Sequence, residues 1–204
     1  RLQGYHLLHK LTKNKEYLAL ENQLRKAVRD KFWTGKYLKD GADDITIRPN
    51  AFIAAYLYPG LLSRNEWIAC FRHMLPKLWL PWGGLATIDK YNSKFTKLCT
   101  GENPKSYHHG DSWFWINNMT ALVLLRLNSP VFKEYINQIV RASTQEILWQ
   151  GAIGCHSEVS SASNLKSEGC LNQAWSNASY IELVHELVSS KKASNLKLKV
   201  LTGK

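Results

Sequence analysis

The sequence lacks several features that would each mark a class of protein. No Cys-x-x-Cys spacing links Cys70, Cys99, Cys155 and Cys170, which excludes zinc ribbons and thioredoxin-type redox motifs. With no secretion signal in view, buried free thiols are the expectation. No run approaches the roughly 18 apolar residues that cross a bilayer, so no membrane partner is expected. Arg1 opens the chain, and no charged stretch leads into an apolar one as in a signal peptide. The expectation is a cytoplasmic chain, cut from or split off a longer one. Acidic residues are also scarce: 16 Asp and Glu stand against 27 Lys and Arg, for a formal net charge of +11. Such a surplus raises nucleic acid as a partner. Here the basic residues are spread along helices, densest at 10–15, 25–39 and 191–204, and no recognisable nucleic-acid motif interleaves them with aromatics. A solvated basic surface without a nucleic-acid partner is the reading.

What is present suits one globular domain over residues 1–204. Eight Trp and nine Tyr are the unusual element. Such rings fill cores and also make flat platforms for sugar rings. Apolar residues recur at helical spacing from Leu2 to Phe32, and Gly35 and the 39–44 stretch end that run. Arg48-Pro49-Asn50 starts a helix through Tyr58. Ser63 with Glu66 makes a capping box for another, expected to stop at Leu75 before Pro76. Further helices are expected over 112–127, 130–149 and 172–188, with a tail that frays over 189–204. No strand alternation is visible. The class is all-α, about six helices with two long irregular stretches at 79–110 and 150–171, and long loops of that kind are usually functional.

Three segments carry chemistry. Arg48 and Asn50 stand at the mouth of a helix. The stretch from Thr100 to Trp115 gathers Tyr107, His108, His109, Asp111 and Trp113 among flexible glycines, a mixture that suits a polyhydroxylated ligand. His108, His109, Cys155 and His156 match no metal spacing, so neither metal nor cofactor is expected. Third, Glu158 lies in a loop of small residues ahead of Gln173-Ala174-Trp175-Ser176, with no positive neighbour close in sequence. Read alone, it is better explained as a solvated loop glutamate than as a catalytic one.

Taken in order, Arg48-Pro49-Asn50, Gly84-Leu85-Ala86-Thr87-Ile88-Asp89, Tyr107-His108-His109-Gly110 with Trp113, and Ser157-Glu158 with Gln173-Ala174-Trp175-Ser176 resemble the glucosidase domain of glycogen-debranching enzymes. More distantly they resemble the glucoamylases. The resemblance implies an (α/α)6 toroid, of which this chain would be the C-terminal half. It also implies an inverting, exo-acting α-1,6-glucosidase of glycogen debranching. Glu158 matches the catalytic base, and Arg48, Asn50, Tyr107, His108, His109, Asp111, Trp113, Gln173 and Trp175 match sugar contacts. The family's general acid lies upstream, and nothing in residues 1–47 resembles it. An α-glucan or oligosaccharide and the upstream half of the toroid are the implied partners, with self-association as the alternative for the uncovered helix face at Phe52, Ile53 and Tyr56. Two other readings stay open: a carbohydrate-binding or assembly subunit without turnover, and a trehalase-like α-glucosidase.

Overall fold

A computed structural model of the chain describes residues 1–101 and 104–189; the frayed tail expected beyond Ser189 lies outside the described residues. Among the described residues eight α-helices stand where about six helices were expected, and the difference begins in the first segment. Leu2–Phe32 is not one helix but two, α1 (Leu2–Thr12) and α2 (Lys15–Phe32). Lys13 takes the left-handed conformation (φ 58°) and Asn14 caps α2, its side chain accepting from the Glu16 N–H. The pair forms an antiparallel hairpin in which His6 meets Glu21 at 3.1 Å. No Gly or Pro marks that reversal, and the apolar spacing runs on across it, so a periodicity reading passes over it.

Next come α3 (Asn50–Leu57) and α4 (Arg64–Leu78). The capping box is formed: Ser63 Oγ accepts from the Glu66 N–H, and Glu66 accepts from the Ser63 N–H at 2.7 Å. Contrary to expectation, α4 continues past Pro76. Only the Arg72 carbonyl loses a helical partner there, on an exposed residue where water can serve it. Burial of Phe71, Met74, Leu75 and Leu78 holds the last turn in place. Glu66 also receives both Nη atoms of Arg29, at 3.1 and 2.7 Å, which ties α2 to α4.

That Arg29 fork, with the Ser63 N–H, holds the Glu66 carboxyl down at about 2. A carboxyl lowered in the folded state stabilises fully above its unfolded value near 4.5, and the contribution is lost as pH falls toward 2. Glu66→Ala is therefore expected to lower stability by about 1 kcal/mol at neutral pH, a Tm shift of about 2–4 °C. The gap from wild type should close on acidification. A gap that is unchanged at pH 2 would show that the ion pair and cap contribute nothing.

The centre of the molecule is α6 (Phe114–Leu127), buried on nearly every side and packed against α3, α4, α7 (Lys133–Trp149) and α8 (Ala174–Ser189). Stacked rings of Phe52 and Phe71 (4.2 Å) and of Trp67 and Phe71 (5.3 Å) fill the space between α3 and α4. This corrects the expectation for the α3 face. Phe52 is fully buried, and Tyr56 is engaged by Glu182 of α8 at 2.7 and 2.8 Å. Exposed apolar residues are scattered over the described surface, among them Leu7, Leu8 and Leu11 of α1, Leu57 of α3, and Trp175, Ile181 and Val188 of α8. No helix among the described residues is long and apolar enough to cross a membrane.

Two strands appear, each two residues long: β1 (Ser112–Trp113) and β2 (Val159–Ser160), antiparallel, with Ser112 opposite Ser160 and Trp113 opposite Val159. Elements this short carry no readable alternation. Their consequence is large, because the ribbon binds the two long irregular stretches to each other at one end of α6. A four-residue helix, α5 (Pro104–Tyr107), lies in the first of those stretches.

Candidate active site

The ribbon sets Glu158 beside the Tyr107–Trp113 turn. Glu158 directly precedes β2, and its carbonyl accepts from the Phe114 N–H at 3.3 Å. On the other side the Glu158 N–H donates to the Cys170 carbonyl at 2.8 Å. Its carboxylate is gripped at both oxygens: the Tyr107 hydroxyl donates to Oε1 at 2.5 Å and the Cys170 N–H to Oε2 at 3.1 Å. Burial, and then the bond to Glu158, push the Tyr107 phenol up to about 12, so it stays a proton donor throughout the neutral range. Gly169 makes room for this arrangement. It has φ +68°, and a Cβ there would fall 2.6 Å from Glu158 Oε2.

Aromatic rings cluster next to the carboxylate. Tyr107 meets Trp113 edge-on at 4.6 Å, and His108 lies parallel to Trp113 at 5.8 Å. The Trp113 indole N–H donates to the Tyr107 carbonyl at 3.0 Å, which fixes the ring. Arg48 reaches this turn from the start of α3, donating to the carbonyls of His108 (2.6 Å) and Thr87 (3.0 Å). Asp40 braces both motif residues at that point, ion-paired with Arg48 Nε at 3.3 Å and accepting from Asn50 Nδ2 at 2.6 Å. A pocket of about 170 Å³ opens between Arg48, Asn50, Thr87, His108, Trp113 and Trp115. Trp175, 56% exposed at the start of α8, stands 6.3 Å from Trp115 and extends the row of rings.

Not every residue singled out in the sequence reaches this surface. Asp111 is fully buried; it accepts from Ser106 Oγ at 2.7 Å and from the Cys99 thiol, and burial pushes its pKa up. It shapes the turn from below, where a ligand in the open pocket does not reach. His109 serves the turn through its backbone, its N–H donating to Ser106 and its carbonyl accepting from Thr96. Gln173 bonds likewise through its backbone, to His156 and Asn177. Among the described residues no three His, Cys, Asp or Glu side chains converge on a metal position. His156, which entered the metal reading, is turned instead toward Glu146.

Glu146 is the residue that the sequence reading missed. It falls on the buried face of α7 in step with Ile136, Ile139, Val140 and Ser143. A carboxylate at an apolar-period position was the available signal.

Helices packed around a central one, with two long loops pinned over its end, fit part of an (α/α)6 toroid. The neutral trehalase of Saccharomyces cerevisiae has a similar structure, with a TM-score of 0.58 at 14% identity. The match covers 88% of this chain and 32% of that one, so the chain spans about a third of the trehalase structure. No curated protein matches the sequence. Residues 3–182 match the amylo-alpha-1,6-glucosidase family, and the chain belongs to that glycoside-hydrolase family.

Proposed function

We propose that this chain supplies the base side of an inverting glycosidase that releases glucose from α-1,6 branch points of an α-glucan. The observation that carries the reading is the Glu158 carboxylate. It is half-buried, held at both oxygens, and set beside a turn of stacked rings in a chain of this family. In the reaction Glu158 takes a proton from a water molecule as the water oxygen bonds to the anomeric carbon. The bond from that carbon to the glycosidic oxygen breaks on the opposite face, and the departing oxygen takes a proton from a general acid. Inversion requires the two carboxyl groups to stand about 6.5–9.5 Å apart, with the water between them. Arg48, Asn50, His108, Trp113 and Trp175 are proposed as the sugar-contacting set, the rings for the sugar face and the polar groups for its hydroxyls. The acid belongs to the upstream half of the toroid, which is the proposed partner.

The test is the product. The chain assembled with its upstream half should release glucose from a branched dextrin and from isomaltose, and the glucose should appear first as the β-anomer by NMR. Release from trehalose in preference to the branched dextrin would replace the debranching assignment with a trehalase-like one. A first product in the α-configuration would exclude inversion.

A further inference from the structure

Behind the Glu158 loop lies a carboxylate that the proposed chemistry does not use. Glu146, in the last turn of α7, is fully buried and accepts four hydrogen bonds. They come from His156 Nδ1 (2.5 Å), Ser157 Oγ (2.6 Å), the Ser157 N–H (3.3 Å) and Ser167 Oγ (2.5 Å). A carboxylate is kept ionised in such a place only when its oxygens are satisfied. Burial alone would raise its pKa, but the donors from His156, Ser157 and Ser167 outweigh burial and hold it below the usual carboxylate range.

The donors matter for where they sit in the chain. Ser157 immediately precedes Glu158. Ser167 immediately precedes Glu168, whose backbone pairs with Val159 on the other side of the loop at 3.0 and 3.3 Å. His156 anchors the entry to the loop. Its ring is fully buried against Phe114 (4.3 Å) and Tyr180 (5.9 Å), and its Nε2 has no partner among the described residues. The bond to Glu146 is thus the one its ring nitrogens make. Gly151 lets the third strand of chain come close, since a Cβ there would lie 2.6 Å from Ser167 Oγ. One helix-borne carboxylate therefore fastens both arms of the hairpin that carries the base. The β1–β2 ribbon itself is held by two residue pairs, Ser112 with Ser160 and Trp113 with Val159.

We infer that Glu146 is a positioning residue for Glu158, a buried latch joining α7 to both arms of the base-carrying hairpin. The inference rests on the assignment of Glu158 as the base. Tyr107 and Cys170 fix the end of the Glu158 side chain; Glu146 fixes the backbone from which it grows. A base displaced by a fraction of an ångström no longer meets the attacking water in line, so the loss falls on kcat and leaves sugar binding intact.

Glu146→Gln tests this, because the amide keeps the shape, loses the charge and turns a donor toward groups that are themselves donors. In the chain assembled with its upstream half, kcat on branched dextrin should fall about tenfold or more while KM stays within about twofold. In the 204-residue chain, the Glu158 and Cys170 amides should exchange with solvent about tenfold faster, while amides at the centre of α6, such as Leu122, keep their protection. Ser167→Ala, which removes one arm alone, should show the same pattern more weakly and serves if Glu146→Gln fails to fold. Wild-type kcat and wild-type exchange in both variants would overturn the latch. So would faster exchange throughout α6, which marks general destabilisation. Glu158→Gln, assayed alongside, separates the two claims. Turnover retained in Glu158→Gln rejects the base assignment, whereas its loss together with a fully active Glu146→Gln rejects the latch alone.

Discussion

Glu158→Gln is expected to abolish nearly all turnover while leaving ligand binding unchanged. The amide has the size of the carboxylate, and turned so that its oxygen accepts from the Cys170 N–H its NH2 can donate to the Tyr107 hydroxyl oxygen, so the site keeps its shape. What it lacks is the capacity to take a proton from water. General-base catalysis contributes about 10²–10⁴-fold to such reactions, which at 1.36 kcal/mol per decade is about 3–5 kcal/mol of barrier. The measurement is kcat and KM on a branched dextrin in the assembled enzyme, with binding of the unreacted substrate measured separately by calorimetry. Glu168→Gln is the control. It is the other carboxylate of the same loop, paired at 2.7 Å with Lys166. If Glu168→Gln were the inactive variant and Glu158→Gln the active one, the base would have to be reassigned.

The 204-residue chain by itself is expected to show no hydrolysis of isomaltose or branched dextrin, and to gain it when the upstream half is supplied. Inversion needs a proton donor across the pocket from the base. Several carboxylates of the described residues are otherwise engaged. Asp40 is ion-paired with Arg48 and accepts from Asn50, Asp111 is buried under the turn, Glu146 is enclosed by its four donors, and Glu168 lies in its ion pair. The apolar residues left exposed on α1 and α8, with Leu11 and Val188 each 71% exposed, are the surface we assign to the missing half. Rates measured with and without that half, beside the mass of the species in solution, decide the matter. Full turnover by the isolated chain would place a general acid inside these residues and undo the division of labour proposed here.

The helices and the site differ in how much of each was legible in the sequence. Helical spacing, the Ser63–Glu66 capping box and the Pro49 start are local properties, and α3, α4, α6, α7 and α8 follow from them because side chains three and four residues apart share a face wherever the chain is helical. The order of motifs around Arg48, Tyr107, Glu158 and Trp175 likewise pointed to the family without any fold. The α1–α2 break was not legible, since a left-handed Lys13 is imposed by how the hairpin packs and not by residue type. Nor was the β1–β2 ribbon, because two-residue strands have no period and arise only when residues 112–113 and 159–160 are brought together across nearly fifty positions of chain. Tertiary structure alone decided that Asp111 lies below the surface, that Arg48 reaches the carbonyls of Thr87 and His108, and that Glu146 is enclosed by donors ten to twenty-one residues later in the chain. Pairings of that range depend on which helix faces meet in the core; a sequence records the faces, and only packing selects which of them come together.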